Sequence, residues 1–384
     1  MSATAQLTTG GAGANKKAGA DPTGYSPIFD VMWGYWCGLP YIPSNFTYGS
    51  IAIATVRYFH TEADYANAAA CNPLYFGLKH CGAAAAGGGL NAQQWWLASV
   101  YARNMLLLWV VYEGQHQMLH NVQWFGTQGK LARNQDGTPK MSDAAQLRRE
   151  RLATCFASLI WSFFEAANMY IWANPQIAAT SKGVFELGAI TNSHRISSFF
   201  GGAEGAGMGE GGFSKADVAA VAAVPGWSSL PFKSNVFLWN FVMLAIIPLY
   251  REFHFYIIHR FIHINTWYFP MYKWVHSFHH KSYNPTVWSG LSMHPVEVWI
   301  YFQCAALQLF LPLTPFHFIF NLQHTTLTPG AGHSGWDPSM GVHGGSYFHY
   351  LHHRYFECNY GEGTIPVDKW FNTFRSHIDD KKKN

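Results

Sequence analysis

Apolar residues gather into four blocks, with long polar connections between them. Residues 96–113, WLASVYARNMLLLWVVYE, form the first, interrupted by Arg103. Residues 153–173, ATCFASLIWSFFEAANMYIWA, form the second. Its length matches the roughly 20 residues a helix needs to span a bilayer. Glu165 and Asn168 inside it are expected to face protein rather than lipid. The third, NVFLWNFVMLAIIPLYREFHFYII over 235–258, turns polar at Arg251. The fourth, VEVWIYFQCAALQLFLPLTPFHFIF over 296–320, is broken by Pro312 and Pro315 and reads as a kinked span or helical hairpin. Trp and Tyr crowd the block ends, as at membrane interfaces. One such block would suit the buried helix of a soluble protein. Four together favour an all-α, multi-pass membrane bundle of about four spans.

Loop charge orients the bundle. The 114–152 connection carries Lys130, Arg133, Lys140, Arg148, Arg149 and Arg151 against Asp136, Asp143 and Glu150. It is placed in the cytosol. The 174–234 connection is Gly/Ala/Ser rich, with Lys182, Arg195, Lys215 and Lys233 its basic residues, and is placed in the lumen. Its 201–223 stretch is low-complexity and reads as a flexible loop. Residues 1–24 lack the apolar core of a signal peptide and read as a disordered tail. Residues 46–58 are too short for a confident span. The expected organisation is a partly disordered extension over 1–95, membrane helices with their two loops over 96–234, a catalytic domain over 235–375 and a tail over 376–384.

Composition agrees with a membrane protein. Aromatic residues make up 17% and charged residues 12%, the latter about half the usual share. A formal charge of +4, with no basic stripe interleaved with aromatics, argues against nucleic acid. The six cysteines show no CxxC spacing; Cys155 and Cys304 read as buried thiols. Cys71 and Cys81 would pair if the N-terminal region faces an oxidising lumen. Lys381 and Lys382, fourth and third from the end, match a dilysine signal for retention in the endoplasmic reticulum, which needs a cytosolic C-terminus.

The chemistry lies in the histidines. Of 20 in the chain, 14 fall between His254 and His353. His259-Arg-Phe-Ile-His263 is followed by His276-Ser-Phe-His279-His280 and, far downstream, by His349-Tyr-Leu-His352-His353. Residues i, i+3 and i+4 share a helical face, so each cluster can project its imidazoles together. Eight converging neutral imidazoles suit iron, zinc or copper. They are too many for one ion and fit two ions with four or five ligands each. A lone histidine in an apolar stretch is usually a core residue, and His60, His80, His194, His317, His324, His343 and His377 carry no pattern. His254 lies off the helical face of His259. His116 and His120, spaced i, i+4, stand alone.

This run resembles the fatty acid hydroxylase/sterol desaturase superfamily of membrane di-iron oxidases. The resemblance covers about residues 235–375. It includes the three clusters, Tyr272-Lys273 ahead of the second, His294-Pro295-Val-Glu297, His333-Ser334-Gly335 and Asn359-Tyr360-Gly361. It implies metal ligands at His259, His263, His276, His279, His280, His349, His352 and His353. It adds His333 as one more and His294 as a ligand or ligand support. Metal-bound imidazoles usually give their other N–H to a carboxylate or carbonyl, for which Glu297, Asp337 and Glu252 are candidates; Asn359 is a candidate for closing the site. The implied cofactors are two iron ions, with zinc an alternative on purified material. The implied partners are dioxygen, a lipid and an electron donor such as cytochrome b5. The implied activity is hydroxylation or desaturation of an unactivated C–H bond at a cytosolic site on the endoplasmic reticulum membrane. The HxxxH spacing of the first cluster favours the sterol desaturase branch over fatty acyl or sphingoid hydroxylases, an alkylglycerol monooxygenase or an aldehyde decarbonylase. A metal transporter or a non-catalytic lipid-binding scaffold is the rival outside the family.

Overall fold

A computed structural model describes residues 45–174, apart from 74–79, 84, 86, 87 and 125, and residues 236–378, apart from 310–312, 314, 338–345 and 364. The 1–24 tail, the 201–223 stretch, nearly all of the 174–234 connection and the dilysine end lie outside the described residues.

The described residues are helical, with isolated bridges and no strands. In chain order the helices are α1 (Asn45–Phe59), α2 (Glu62–Ala69), α3 (Ala92–His116), α4 (Ala144–Ala173), α5 (Val236–Ile262), α6 (Met271–Trp274), α7 (Pro295–Phe302), α8 (Pro315–Gly332), α9 (Ser346–Tyr355) and α10 (Val367–Trp370). Local sequence sets their ends. Asn91 and Gln94 close a capping box on α3, each side chain accepting the other's backbone N–H. Asp143 caps α4 by accepting from Gln146 N–H at 2.7 Å. The fourth apolar block is not one continuous helix; Pro312 lies outside the described residues. It divides into α7, a 3-10 segment Gln303–Leu309 and α8, which begins at Pro315. Residues 46–58 form most of α1, which packs on α8 and places Tyr48, Ala52 and Val56 in the main core.

α3 and α4 lie side by side, and α8 crosses close to α3. A Cβ on Gly330 would come within 2.8 Å of the Tyr112 ring, and one on Gly290 within 2.4 Å of the Pro329 carbonyl carbon. Both positions need glycine for that approach. Tyr112 Oη donates to the Thr326 carbonyl at 2.7 Å, fixing the crossing. Trp161, Trp288 and Phe302 fill the space between these helices and are fully buried.

By length and composition, one helix among the described residues could cross a membrane, the stretch Ala144–Ile171 of α4. Its 30 residues correspond to about 45 Å of helix. Glu165 and Asn168 are buried, on the protein side as expected. Glu165 accepts hydrogen bonds from Asn104 Nδ2 at 2.8 Å and from Arg103, and His60 Nε2 lies 3.0 Å from it. One carboxylate thus joins α1's end, α3 and α4. At the same end of the bundle Cys71 and Cys81 are joined in a disulfide, and Asn174 Nδ2 donates to Ala69 O at 3.3 Å.

Removing one partner of a buried ion pair strands the other charge, at a cost of about 3–5 kcal/mol. Glu165→Ala is therefore expected to lower the thermal unfolding midpoint of the detergent-solubilised protein sharply. An exposed change such as Leu106→Ala on α3 should leave it nearly unchanged.

Candidate metal centre

The histidines come from four places that the bundle brings together at one end. His259 lies in the last turn of α5, and His263 one residue beyond the helix end. The second cluster lies on a 3-10 turn, His276–Lys281, rather than on the α-helix its spacing suggests. His333 follows the last turn of α8, and α9 carries His349, His352 and His353.

Nine imidazoles meet in two groups. His259, His263, His276, His280 and His352 form one, and His279, His333, His349 and His353 form the other. Within each group the ligating atoms lie within 4.8 Å of one another. The partition follows a simple rule. In each motif the histidines at i and i+4 stay together (259 with 263, 276 with 280, 349 with 353). The histidine at i+3 crosses to the other group: His279 leaves the first, and His352 joins it. The two groups therefore interlock, and the His280 and His353 ring centroids are 4.8 Å apart.

Most of these rings are pinned from outside. His259 Nδ1 lies 2.7 Å from the Tyr360 carbonyl, His352 Nδ1 2.7 Å from the Cys358 carbonyl, His333 Nδ1 2.8 Å from the Pro329 carbonyl and His279 Nδ1 3.3 Å from the Ser292 carbonyl. His276 Nδ1 lies 2.7 Å from Glu297 Oε1. Each acceptor places the ring proton on Nδ1 and leaves the Nε2 lone pair facing inward. There the Nε2 atoms meet one another. His276 to His280 is 3.0 Å, His259 to His276 3.2 Å, His263 to His352 3.2 Å and His279 to His333 3.0 Å. In the His259–His276 and His279–His333 pairs both ring protons are directed outward, so these are lone pair against lone pair. A cation with nitrogen ligands at about 2.1 Å sets its ligands about 3.0 Å apart at right angles and about 3.4 Å apart tetrahedrally. The observed spacing fits that geometry. His349 Nε2 and both nitrogens of His353 are buried without a hydrogen-bond partner, so the second group also has unused donors. Burial, reinforced by neighbouring imidazoles, holds His276, His280, His349, His352 and His353 well below the ordinary value of 6.5, and burial lowers His279 to about 4. Neutral imidazole is the form that binds metal.

His294 is the one proposed ligand outside both groups. Its Nδ1 accepts the Val296 N–H at 3.2 Å and so caps α7. Of the three carboxylates suggested as supports, Glu297 reaches a histidine. Glu252 instead accepts Ile365 N–H at 2.7 Å, and Asp337 accepts Tyr347 N–H at 3.4 Å. Asn359 closes the far side. At φ 54° it donates to Phe348 O and Arg375 O and accepts Arg375 N–H, tying α9 to the tail. Asp368 then holds the Tyr360 and Gly361 N–H groups at 2.8 Å each, fixing the carbonyl that orients His259.

Sequence reasoning overlooked a clamp behind His333. His120 lies on a π-helical turn, Gln117–Asn121, that extends α3, and its Nε2 is 2.7 Å from the Ser334 carbonyl. Leu131 N–H donates to Gly335 O and Asp337 N–H to Gly129 O. Gly335 sits at φ 66°, where a Cβ would lie 2.2 Å from Pro285 O. Asn284, four residues after His280, accepts from Lys130 Nζ at 3.0 Å and donates to Lys140 O at 2.9 Å. The cytosolic basic loop of the sequence reading is thus part of the scaffold around the ligands. Its one advance signal was the His116/His120 pair.

A narrow cavity touches both groups. It is lined by His259 and His276 of one, His279 and His333 of the other, by Glu297 and Tyr301, and by the apolar Phe255, Ile258, Ile262 and Met293.

Residues 244–373 match the fatty acid hydroxylase family model, a match that supports the resemblance to the fatty acid hydroxylase/sterol desaturase superfamily. The chain is similar to a Delta(7)-sterol 5(6)-desaturase of Gibberella zeae, 29% identical over 163 residues, 40% of this chain and 48% of the relative. It is similar to a Delta(7)-sterol-C5(6)-desaturase of Nicotiana tabacum, 26% identical over 192 residues, 43% of this chain and 67% of the relative. It is also similar to a putative methylsterol monooxygenase of Dictyostelium discoideum, 31% identical over 145 residues, 34% of this chain and 49% of the relative. The chain spans about half the length of the first of these relatives. No solved structure matches it.

The two interlocked groups generate an expected outcome. His333→Ala should lower bound metal from two ions per chain to one, because the five-histidine group keeps its donors. His294→Asn should keep both ions, since Asn caps α7 as well as His does. Metal analysis of the purified proteins reads both.

Proposed function

We propose that this protein is a membrane-bound di-iron oxidase that uses dioxygen and external electrons to desaturate or hydroxylate a C–H bond of a lipid, with a sterol the favoured substrate. The observation that carries this reading is the pair of interlocked histidine groups flanking one apolar cavity. The sterol desaturase relatives supply the substrate class. Two iron ions held by the nine histidines would supply the activation of dioxygen by two electrons. The chain's own contribution is positional. The carbonyls of Tyr360, Cys358, Pro329 and Ser292 and the Glu297 carboxylate keep five of the nine ring protons directed outward, so those five donors keep their aim. Phe255, Ile258, Ile262 and Met293 offer an apolar surface between the groups, where a C–H bond can rest and water is excluded. Desaturation and hydroxylation then differ by where that surface holds the neighbouring carbon.

Orientation enters the same proposal. α4 begins beside the histidine end of the bundle, where Gln146 donates to Asn284 O at 2.8 Å, and ends beside Ala69 and the Cys71–Cys81 disulfide. Disulfides belong to oxidising compartments. The disulfide end then faces the lumen of the endoplasmic reticulum and the histidines face the cytosol, as loop charge suggests. A soluble donor such as cytochrome b5 would reach the site from that side. The α4 span would be joined by α3, α5 and α8 in a multi-pass bundle. A transporter would line its path with ionisable groups along the membrane helices. Here the histidines close at one end, while Arg103 and Arg251 lie in ion pairs with Glu165 and Glu362, which supports the oxidase over that rival.

The test is turnover. Membranes containing the protein, given a Delta(7)-sterol, dioxygen and a reductant, should return a product lacking two hydrogens or carrying one added oxygen. His352→Ala should abolish product while the protein still inserts in membranes. Full turnover by His352→Ala would remove the assignment.

A further inference from the structure

The nine histidines are not equally enclosed. Eight are buried, and His263 alone is partly exposed. What it meets is a groove of about 600 Å³ on the outer side of α5, lined by Phe253, Tyr256, Ile257 and Phe261 from the helix, by Phe371 from the segment after α10, and by His263 and Tyr360 at its inner end. Leu249, Phe253, Ile257 and Phe261 follow at four-residue steps and are all exposed, Ile257 by 61%. They make one apolar stripe along the helix, running from the bundle up to the histidines. The far wall is packed against this stripe. Phe253 and Trp370 centroids are 6.1 Å apart, and Tyr256 stacks on Phe371 at 5.5 Å. Beyond the groove Trp267, Tyr268 and Trp274 are exposed by 92%, 71% and 71%, the arrangement of a bilayer-interface belt. One charge stands in the lining. Arg260 is exposed, donates to Tyr256 Oη at 2.8 Å and lies 5.9 Å over the Tyr256 and Phe371 rings.

We propose that this groove is the substrate's entrance from the bilayer. It takes a lipid with a long apolar body, which slides along the α5 stripe toward His263, and with an oxygen acceptor at its polar end, which Arg260 holds. Three observations converge on that occupant. The stripe is continuous with the part of α5 that the proposed topology places in lipid. The groove ends at the one histidine of the nine that is not fully buried. The inner cavity, by contrast, is walled by buried residues and is too small to admit a whole lipid. The guanidinium is already oriented by two rings and keeps donors for an incoming hydroxyl or carboxylate. This inference rests on the oxidase reading for its choice of substrate, but its test does not need turnover.

Full-length protein in membranes is photolabelled with a diazirine-bearing sterol and, separately, with a diazirine-bearing palmitate, and the labelled peptides are mapped. The expected result is saturable labelling of residues 253–264 by at least one probe, removed by excess of its unlabelled parent. Ile257→Trp, which fills the groove, should reduce that labelling several-fold, with the metal content unchanged. Leu106→Trp, on the exposed face of α3, should leave it unchanged. Arg260→Gln should weaken labelling about five-fold, the effect of losing one hydrogen bond. Saturable labelling by the palmitate alone would keep the entrance and reassign the lipid class. Labelling that is not competed, or that is equal on α3, would show ordinary bilayer contact and overturn the proposal. Wild-type labelling in Ile257→Trp would overturn it as well. If no sterol is ever oxidised but the groove labels saturably, the substrate reading fails and the entrance stands. If Ile257→Trp oxidises sterol as the parent does, the entrance fails and the oxidase stands.

Discussion

Inward-facing lone pairs are the constraint on which the rest of this structure depends. Five ring protons are drawn outward by carbonyls or by Glu297, so the opposed Nε2 atoms of His259 and His276, and of His279 and His333, approach within 3.0–3.2 Å with nothing of their own to share. Burying such unsatisfied donors costs free energy unless a cation meets them. Burial also removes the alternative of protonating the rings, since their affinity for protons is strongly lowered. The outer acceptors are therefore as much a part of the centre as the imidazoles. His259 depends on Tyr360 O, which depends on Asp368; His333 depends on a turn that His120, Leu131 and Gly335 hold in place.

The spacing rule explains how two groups form from short motifs. Along a helix, i and i+4 diverge by about 40° and i+3 falls on the opposite flank. HxxHH therefore gives two donors to one side and one to the other. Two such motifs facing each other interlock, HxxxH adds two donors to one group, and His333 adds one to the other. The five-and-four division follows from sequence spacing once the elements are brought together. It holds even though His276–Lys281 forms a 3-10 turn, in which i and i+3 eclipse, so helix period alone does not direct these rings.

Much of the site was legible because ligand chemistry leaves a dense and regular trace. The histidine clusters, the Glu297 support and the closing Asn359 could all be named from spacing and resemblance. His294 was misleading because His-Pro at a helix start is also a cap, and capping is a local hydrogen bond that spacing cannot tell from ligation. The clamp around Asn284, Lys130 and Gly335 was illegible for a different reason. Its bonds are mostly to backbone carbonyls and join segments about 140 to 200 residues apart, and such bonds leave no periodic mark. For the fold, the proline break in the fourth block and the burial of Glu165 followed from elementary rules. The role of α1 did not, because a helix of 15 residues gains its place from packing on α8 and not from its own pattern.

These features make α9 and the described segment after it depend on the centre for their place on the bundle. α9 carries three of the nine histidines, and the segment after it is bonded back through Asn359 and Asp368. Ligands drawn from α5, the 276–281 turn, the end of α8 and α9 mean that two cations would join four separate elements at one point. Free energy of metal binding would then be free energy of folding for this cap. The bundle below has its own core and its own buried ion pairs, and it needs no such help. Stability is thus divided by location: apolar packing and the Glu165 cluster hold the helices, whereas histidines, their outer acceptors and the ions they fit hold the part that would do the chemistry. A site built this way would be held most firmly when loaded, which suits chemistry that must not begin on an incomplete centre.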